Sequence, residues 1–534
     1  MAERSEGAAP SAPTTEWRPR ANPWLITVIV SLAAFMEVLD MSIANVALPY
    51  MAGNLGASND ESTWVLTTYL VSNAIILPIS GWLVGRFGRK RFFLTCILLF
   101  TLSSLFCGIA PSLGFLLLAR VLQGAGGGGL QPMAQAILAD TFPPAERGLA
   151  FALYGITAVM APTIGPTLGG WITDNYSWRW IFLINVPVGI LALTLVLRLL
   201  EDPPYLARVR RGGKRFDTIG FSLLVLGIGA LQVILDKGQE DDWFGSRFIV
   251  TLTIVAIVCL VTLAFYEWFH AAPILDLHLF AHFNFLSANV MMLMLGIVYF
   301  SSLVMMPQFL QTLMGYTAGT AGLALSASGL FLLAEMPLVG QLTNRVQARF
   351  LIALGWAGVT LAMVYSAQRF DLLISFGSAT WMRIAQAVGL PFLFIPISMA
   401  AYVGLPAEKS NSVAGMINFM RNIGASIGTS LVTTLIARRS QFHQVHLVLR
   451  MAQDNPTFQA QVGDLVSRLT AGLGAPQALH QAYARLYGVV QGQAQTLAYI
   501  DTFWLLAVCG VVMVGLSFLL KRNEPGTGGR VPAH

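Results

Sequence analysis

Charged side chains are scarce in this 534-residue sequence: Asp, Glu, Lys and Arg make up 11% of it, while apolar and aromatic residues make up 55%. An ordinary soluble domain carries roughly 25% charged residues. So few charges cannot cover the surface of a chain of this length, and most of that surface is therefore expected to face lipid. The composition excludes an intrinsically disordered chain. The net charge of only +6 also excludes a nucleic-acid-binding domain with a strongly basic face.

Cysteine is scarce as well: the four cysteines stand singly in apolar runs, and no CxxC pair occurs. This excludes a disulfide framework and a thiolate metal site. His443 and His446 are three residues apart, but no further ligand lies near them in the sequence, so no metal site is predicted. The polar segment before residue 21 lacks the apolar core and cleavage site of a signal peptide, which predicts a cytoplasmic tail.

Long apolar runs are abundant. A helix needs about 20 predominantly apolar residues to cross the hydrocarbon layer of a bilayer. Fourteen runs meet this requirement, which predicts an all-α membrane protein with both termini on one side. The predicted spans lie near 24–47, 63–84, 92–110, 114–138, 149–172, 179–199, 217–236, 247–268, 285–310, 317–341, 350–367, 374–402, 410–436 and 499–520.

Lys and Arg predict which side the termini occupy. The loops and tails on the side of the termini hold nineteen of these residues, whereas the short loops on the opposite side hold four. Because positive charge is retained on the cytoplasmic side, we expect both termini to be cytoplasmic. One long segment on the outer side, 438–495, is Gln- and Ala-rich with helical patches at 458–469 and 477–487. It is either a solvated helical hairpin or a docking surface for a periplasmic protein.

A weak internal repeat indicates two related halves. The segment from Gly81 to Lys90 resembles 340–349, and the Arg-x-x-Gln of Arg120 and Gln123 recurs at Arg383. Because both matches have nearly the same offset, the first six spans correspond to the last six, with two spans inserted between them. Two related bundles around a membrane-embedded site are typical of secondary transporters. The predicted organisation is a tail at 1–23, a six-helix bundle at 24–200, a linker with two inserted spans at 201–282, a second six-helix bundle at 283–520 including the periplasmic loop 438–495, and a tail at 521–534.

Charges inside predicted spans are the candidate functional residues, since each costs about 2.5–3.5 kcal/mol on insertion scales. Glu37 and Asp40 lie three residues apart on one face of the first span. Two carboxylates this close in a low dielectric cannot both ionise cheaply, so they are candidates for carrying a proton. Arg120 is the expected cationic partner, and Gln123 follows it one turn later. The alternative is a static, fully satisfied ion pair that never titrates.

The second half contains corresponding charges. Glu335 is a candidate for binding a cationic substrate or a proton, and Arg383 is a candidate for binding an anionic substrate. Arg421, in the thirteenth span, and Asn45, in the first, complete the candidate substrate-binding residues. The glycine-rich run at 124–129 lacks the Lys and Ser or Thr of a phosphate-binding loop, so it indicates close helix packing.

The fifth span has an unusual series of prolines and glycines. Its members are Pro162, Gly165, Pro166, Gly169 and Gly170. Proline removes backbone donors and bends a helix, while glycine lets a neighbouring helix approach closely. The span is predicted to be either simply bent or a seal or hinge between the bundles.

These segments resemble the major facilitator superfamily, and specifically its branch of fourteen-helix drug:proton antiporters. The segment from Leu39 to Pro49 is similar to the first-helix motif of that branch, and Arg120 with Gln123 is similar to a fourth-helix motif implicated in proton coupling. Gly165-Pro166 with Gly169-Gly170 resembles the antiporter motif. The resemblance implies the two-bundle major facilitator fold with two inserted helices, no bound cofactor, and transport driven by the proton motive force.

The loop after the second span fits the superfamily pattern only in part. Gly81, Arg86, Gly88 and Arg89 match, but Gly85 stands where an Asp is expected. We therefore expect Asp140 to hold Arg86 or Arg89 in its place. The segments 235–244 and 424–430 and the long outer segment resemble the EmrB-like subgroup of multidrug exporters. That resemblance implies a location in the bacterial inner (plasma) membrane and hydrophobic, often weakly acidic substrates. It also implies a periplasmic adaptor (a membrane fusion protein) and an outer-membrane channel.

The sequence therefore predicts a proton-driven multidrug exporter that exchanges drug for protons by alternating access, not an enzyme. Two alternatives remain at this point. One is an exporter dedicated to a single metabolite or fatty acid by the same mechanism. The other is a membrane-embedded enzyme acting on lipid, but the acidic segment 236–242 has no His, Cys or evident nucleophile to support it.

Overall fold

The computed structural model describes residues 19–203, 217–270, 273–451, 455–470 and 475–520, which are helical with connecting turns and contain no strand. The first half of the chain forms α1 to α8. Their bounds are α1 Pro23–Leu55, α2 Asn59–Phe87, α3 Arg89–Gly108, α4 Leu113–Gly127, α5 Leu130–Thr141, α6 Pro144–Asn175, α7 Trp180–Leu183 and α8 Asn185–Leu199.

Local sequence signals set the helix ends. Asn22 caps α1 by accepting a hydrogen bond from the backbone N–H of Trp24 at 2.9 Å, and Gly56 ends that helix with φ of 65°. Ser58 and Glu61 form a reciprocal capping box at the start of α2. Gly88 separates α2 from α3 with φ of 90°, a conformation that only glycine adopts without strain.

The second half follows an inserted helical hairpin. The hairpin consists of α9 Thr218–Lys237 and α10 Arg247–Phe269. The second half consists of α11 Phe283–Leu295, a π-helical segment Gly296–Phe300, α12 Ser301–Thr312, α13 Ala318–Leu342, α14 Ala348–Arg369, α15 Phe376–Val388, α16 Leu390–Ala400, α17 Ser410–Val448, α18 Pro456–Thr470 and α19 Ala475–Ser517. Several membrane crossings are built from two consecutive helices, such as α4 with α5 and α15 with α16.

Within the described ranges, 13 helical segments are long and apolar enough to cross a membrane. The predicted span 410–436 is absent from that set, although it lies inside the 39-residue helix α17. The physical reason is the position of α17, which packs against α2, α5, α11 and α19 inside the bundle. A helix surrounded by protein on several sides carries polar residues such as Asn418 and Arg421 that hydrogen-bond to neighbours rather than face lipid.

The long outer segment 438–495 is more regular than the predicted loop. Helix α17 runs on to Val448, and α19 already begins at Ala475, so both helices extend beyond the predicted membrane boundaries. The predicted helical patches lie within α18 and α19. Phe458 and Val462 of α18 are buried against α19, and Asp501 of α19 binds both Arg439 (2.6 Å) and His443 (2.7 Å) of α17.

The two halves meet most extensively along α6 with α13 and α2 with α17, and also through α5 with α17 and α6 with α16. We call the face of the molecule at which α1 begins the terminal face. Near that face, Gly148 and Gly340 approach so closely that a Cβ on Gly340 would lie 2.7 Å from the backbone oxygen of Gly148. A Cβ on Gly81 would lie 2.7 Å from Cα of Ser412 in α17. The halves are therefore in direct backbone contact at the terminal face.

The inserted hairpin contacts both halves near the opposite face. At the end of α9, Asp236 accepts a hydrogen bond from Thr67 of α2, and Lys237 donates one to Thr63 of α2. Gln232 donates to Ser426 of α17 at 2.9 Å, and Trp243 donates through Nε1 to Thr434 at 3.1 Å. The hairpin thus bridges α2 and α17.

Candidate functional site

A buried ion pair lies in the first half between α1 and α4. Arg120 donates through Nη1 to Asp40 Oδ2 at 2.6 Å, and both side chains are completely buried. Gln123 and Asn185 donate to the other oxygen, Asp40 Oδ1, at 2.9 and 2.6 Å. Arg120 also donates through Nε to the carbonyl of Val65 at 3.0 Å. Four different helices, α1, α2, α4 and α8, therefore meet at this carboxylate and its cation.

The surroundings of Arg120 explain how a cation is held at this depth. Its guanidinium lies 4.3 Å from the centre of the Tyr69 ring and 5.4 Å from that of Phe182, and aromatic faces attract cations. Burying two charges costs several kcal/mol per ion and is compensated only when geometry and hydrogen bonding are good. Both oxygens of Asp40 have donors, so its ionised form is well accommodated. The ionised Asp40 can hold Arg120 in the ion pair. If Asp40 takes up a proton, the ion pair is lost and Arg120 is released.

The second half repeats the arginine, glutamine and hydroxyl series of this arrangement. Arg383 donates to Gln386 at 3.2 Å, and Gln386 donates to Ser366 at 2.9 Å. The first half has the matching series Arg120, Gln123 and Ser104, in which Gln123 donates to Ser104 at 2.8 Å. The internal repeat found in the sequence is thus reproduced in three dimensions, down to the hydroxyl that accepts from each glutamine.

Tyr299 replaces the aspartate in the second half. It lies 259 residues after Asp40, the offset of the sequence repeat, and its hydroxyl accepts from Arg383 Nη2 at 2.8 Å. Tyr299 sits in the π-helical segment, a feature that often occurs at functional positions. Arg383 therefore has no carboxylate within hydrogen-bonding distance in the described part of the chain, and its Nε is buried without a partner. Only the first copy of the cluster carries an acid.

Glu37 is not in the same cluster as Asp40, although both are on α1. Its Oε1 accepts from Tyr69 at 3.2 Å and from Asn73 at 3.1 Å, both on α2. Its Oε2 accepts from Gln131 on α5. No hydrogen bond joins the two carboxylates among the described residues. Glu37 and Asp40 therefore have separate sets of hydrogen-bond donors and do not share one proton directly.

The remaining candidate binding residues are placed differently from one another. Arg421 is buried and donates to Gln131 and to its neighbour Asn422. Glu335 is half-buried on α13, and its Oε2 is buried without a partner in the described ranges. Asn45 is exposed on α1 and forms no hydrogen bond with any described residue. Of these residues, Arg421 and Arg383 are engaged within the protein, whereas Glu335 and Asn45 are not.

The proline–glycine series on α6 packs closely against α1 of the same half. Pro166 has no N–H, so the carbonyl of Pro162 four residues earlier lacks its helical donor. Ser42 of α1 supplies that donor through its hydroxyl at 3.3 Å. Gly165 contacts Ser42, and a Cβ on Gly169 would lie 2.9 Å from the Ile43 side chain, whereas Gly170 has open space beside it. Helix α6 remains continuous through this series.

A polar cluster joins the halves at the terminal face. Arg89 donates to Asp140 Oδ2 at 2.5 Å, and Ser410 of α17 donates to Asp140 Oδ1 at 2.9 Å. Of the two arginines considered as partners of Asp140, Arg89 is therefore the one in contact. Arg86 is exposed. Asp140 thus links α3, α5 and the second half. The superfamily pattern has an Asp at position 85 instead, where this chain has Gly85.

Sequence reasoning missed four polar residues that complete these clusters. Asn185, Tyr69, Asn73 and Gln131 are all at most 5% exposed and all bind Asp40, Glu37 or Arg120. They are uncharged, so the search for intramembrane charges did not find them. A search for amides in apolar spans would have found three of the four.

The sequence matches the profile described as Major Facilitator Superfamily over residues 30–429. The chain is 37% identical to the "Multidrug export protein EmrB" of Escherichia coli K12 over 510 residues, which cover 96% of this chain and 98% of that protein. The chain belongs to the major facilitator superfamily. It is also 39% identical to the Haemophilus influenzae protein of the same name (82% of this chain, 85% of that protein). It is 37% identical to the "Fatty acid resistance protein FarB" of Neisseria gonorrhoeae (94% and 97%).

Solved structures support the fold. The proton:xylose symporter XylE superimposes with a TM-score of 0.58 at 13% identity, covering 94% of this chain and 96% of that one. The human organic anion transporter MFSD10 gives 0.55 at 12% identity, covering 92% and 100%. The predicted all-α major facilitator fold is confirmed, and membership of this family makes the chain a multi-pass membrane transporter of small molecules rather than an enzyme.

Proposed function

We propose that this transporter is a proton-driven multidrug exporter of the bacterial inner membrane, exchanging protons for hydrophobic, often weakly acidic drugs. The observation that carries the proposal is the buried pair of Asp40 and Arg120, closed by Gln123 and Asn185. A carboxylate at this depth is costly unless it is paired, and a permanently charged arginine is a partner that a proton can displace. The near-full-length likeness to proteins named for multidrug export supports the substrate class.

Alternating access follows from the way the halves meet. The terminal face is closed by the backbone contact of Gly148 with Gly340 and by Asp140, which binds both Arg89 and Ser410. None of these contacts is covalent, so the halves can separate there when the energy of the contacts is offset. Protons reach Asp40 from the outside and leave it on the inside, and their passage drives drug outward. Coupling requires that protonation and drug binding favour different states or compete at one site.

The proposal includes orientation and partners. The excess of Lys and Arg on the side of the termini supports a cytoplasmic position for both termini, with the terminal face as the cytoplasmic face. The extension formed by the end of α17, α18 and the start of α19 then lies in the periplasm. It exposes apolar side chains including Phe442, Val445 and Tyr487. This surface suits a periplasmic adaptor, through which an outer-membrane channel completes the export path.

The test uses purified protein in liposomes that contain a pH-sensitive dye. Hydrophobic drugs are added with and without an imposed pH gradient, to wild type and to Asp40→Asn. Drug-evoked proton movement is expected in wild type and is expected to vanish in Asp40→Asn. Asp371→Asn, an exchange of the same kind at an exposed turn, is the matched control and is expected to behave as wild type. Drug transport that ignores the gradient and survives Asp40→Asn would refute proton coupling.

A dedicated fatty acid exporter is the second candidate, favoured by the 37% identity to a protein named for fatty acid resistance. The two candidates differ in selectivity and not in mechanism. Competition in the same liposomes separates them, because a multidrug exporter transports chemically unrelated drugs that inhibit each other. A dedicated exporter responds to fatty acids alone.

A further inference from the structure

We infer that Glu37 controls the contact between the two halves through two side-chain amides, and that Gln131 is the residue that transmits its charge to Arg421. The inference deepens the proposed function and rests on it for its role in transport. The two carboxylate oxygens of Glu37 each bind one amide of the first half, and each amide in turn binds a residue of α17 in the second half. No comparable connection leaves Asp40, whose polar partners all belong to the first half.

The geometry consists of two parallel links. Gln131 donates through Nε2 to Glu37 Oε2, and its Oε1 accepts from Arg421 Nη2. Asn73 donates through Nδ2 to Glu37 Oε1 at 3.1 Å, and its Oδ1 accepts from Asn422 Nδ2 at 3.4 Å. All of these side chains except Asn422 are at most 5% exposed. The links therefore end on two consecutive residues of α17, inside the contact between the halves.

The direction of these hydrogen bonds depends on the charge of Glu37. An ionised carboxylate only accepts, so both amides must turn their NH₂ groups toward it and their oxygens toward α17. Arginine only donates, so it matches the oxygen that Gln131 presents. A proton on Oε2 of Glu37 can be donated within this network only to Gln131, which must then turn its amide over. Its NH₂ group would face the Arg421 guanidinium, and the bond between the halves would be lost.

Charge acts in the same sense as hydrogen bonding. The groups facing Glu37 from the surrounding helices are Tyr69 of α2, Tyr154 of α6, which donates to Gln131 at 3.4 Å, and Arg421 of α17. Arg120 and Asp40 lie beyond Tyr69 and neutralise each other. Arg421 therefore has Glu37 as its negative partner across the contact. Neutralising that carboxyl group removes the attraction as well as the hydrogen bond.

The experiment measures the distance between the halves as a function of pH. The method is pulsed electron–electron double resonance on the full chain in lipid nanodiscs. Spin labels are placed at the exposed positions Arg91 in the first half and Arg345 in the second, after the four native cysteines have been replaced by alanine. In wild type, acidic buffer is expected to increase the population with separated halves at the terminal face. Allosteric coupling of this kind typically shifts an equilibrium by about 5- to 150-fold.

Two substitutions of Gln131 are expected to abolish the pH response with opposite baselines. Gln131→Met removes the link, so the halves should be separated to the same extent at every pH. Gln131→Glu places a second carboxyl group between Glu37 and Arg421, and the neighbouring pair keeps one negative charge even after taking up a proton. The halves should then stay together at every pH. A residue with a merely structural role would not give opposite baselines.

Gln135 provides the matched control. It lies one turn further along α5, is also buried, and accepts from Asn418 of α17 at 2.7 Å, but it touches no carboxylate. Gln135→Met removes a contact between the halves of the same kind, so it should keep the pH response. A wild-type response in both Gln131 variants would overturn the inference, as would equal loss of response in Gln131→Met and Gln135→Met.

The two proposals can fail separately. The distance measurement needs no drug and no net proton transport, whereas the liposome test of Asp40→Asn needs both. Loss of coupling in Asp40→Asn together with a normal pH response in the Gln131 variants would leave antiport in place and refute the link. A pH response that depends on Gln131 without drug-evoked proton movement would support the link and refute antiport.

Discussion

Removing either partner of the buried Asp40–Arg120 pair should destabilise the protein, but by different amounts. Asp40→Asn preserves the shape of the side chain and leaves Arg120 as a buried cation without a counter-ion. Breaking a buried pair in this way costs about 3–5 kcal/mol. Arginine cannot lose its proton in a protein, so it has no means of relieving this cost. The free energy of unfolding of Asp40→Asn should therefore be lower than that of wild type by that amount. Its dependence on pH should be similar to that of wild type.

Arg120→Met should cost less, because the remaining acid can take up a proton. Above about pH 4 the unfolded chain carries Asp40 ionised, while the folded variant holds it neutral. The folded state then binds one more proton than the unfolded state, so stability relative to wild type should fall by about 1.4 kcal/mol for each unit of rising pH. At mildly acidic pH the variant should approach wild type in stability, apart from the lost packing of the guanidinium.

The measurement is unfolding by sodium dodecyl sulfate in mixed micelles, repeated at several pH values. Arg383→Met is the matched control in the second half, because Arg383 is equally buried but binds Tyr299 instead of a carboxylate. Its cost should show no slope with pH. Equal costs for Asp40→Asn and Arg120→Met, or parallel pH profiles for Arg120→Met and Arg383→Met, would refute the reasoning.

Three further outcomes are expected. Gly340→Val should hold the terminal face open, because its side chain meets the backbone of Gly148, and cysteine accessibility from that face should rise severalfold. Arg89→Gln breaks the buried ion pair with Asp140 and should lower stability by about 3–5 kcal/mol. Trp243→Phe removes the hydrogen bond to α17 and should cost about 0.5–1.5 kcal/mol in the same unfolding assay while leaving the helical fold intact. Unchanged accessibility in the first, or unchanged stability in the second, would contradict the assigned contacts.

The architecture could be predicted from the sequence because its signals are long and additive. Fourteen apolar runs and a repeat at one offset define two related bundles with an inserted hairpin, whatever the uncertainty at each boundary. The pairing of Asp40 with Arg120 was also predictable, because two opposite charges deep in a membrane protein have strong reason to meet. The contact of Asp140 with Arg89 was expected from the resemblance, because Gly85 stands where the superfamily pattern has an Asp.

The separation of the two acids on α1 was not predictable in this way. Spacing of three residues places Glu37 and Asp40 on one face of a helix, but the helices that pack against that face decide which partner each one meets. Asp40 faces α4 and α8, whereas Glu37 faces α2 and α5. Those contacts depend on packing between segments distant in the sequence, and the partners of Glu37 are neutral amides that carry no charge signal.

The two copies of the arginine cluster share a framework but differ in the group that faces the arginine. Both copies keep an arginine, a glutamine and a hydroxyl in the same hydrogen-bonded order, which means that the shared framework holds a buried cation. Only the first copy faces that cation with an acid, Asp40, whereas the second faces it with Tyr299. A tyrosine hydroxyl stays neutral near physiological pH, so the second copy cannot exchange a proton in the physiological range. In the proposed mechanism, only the first copy of this cluster takes up a proton, and the link from Glu37 through Gln131 to Arg421 carries the effect of a proton to the second half.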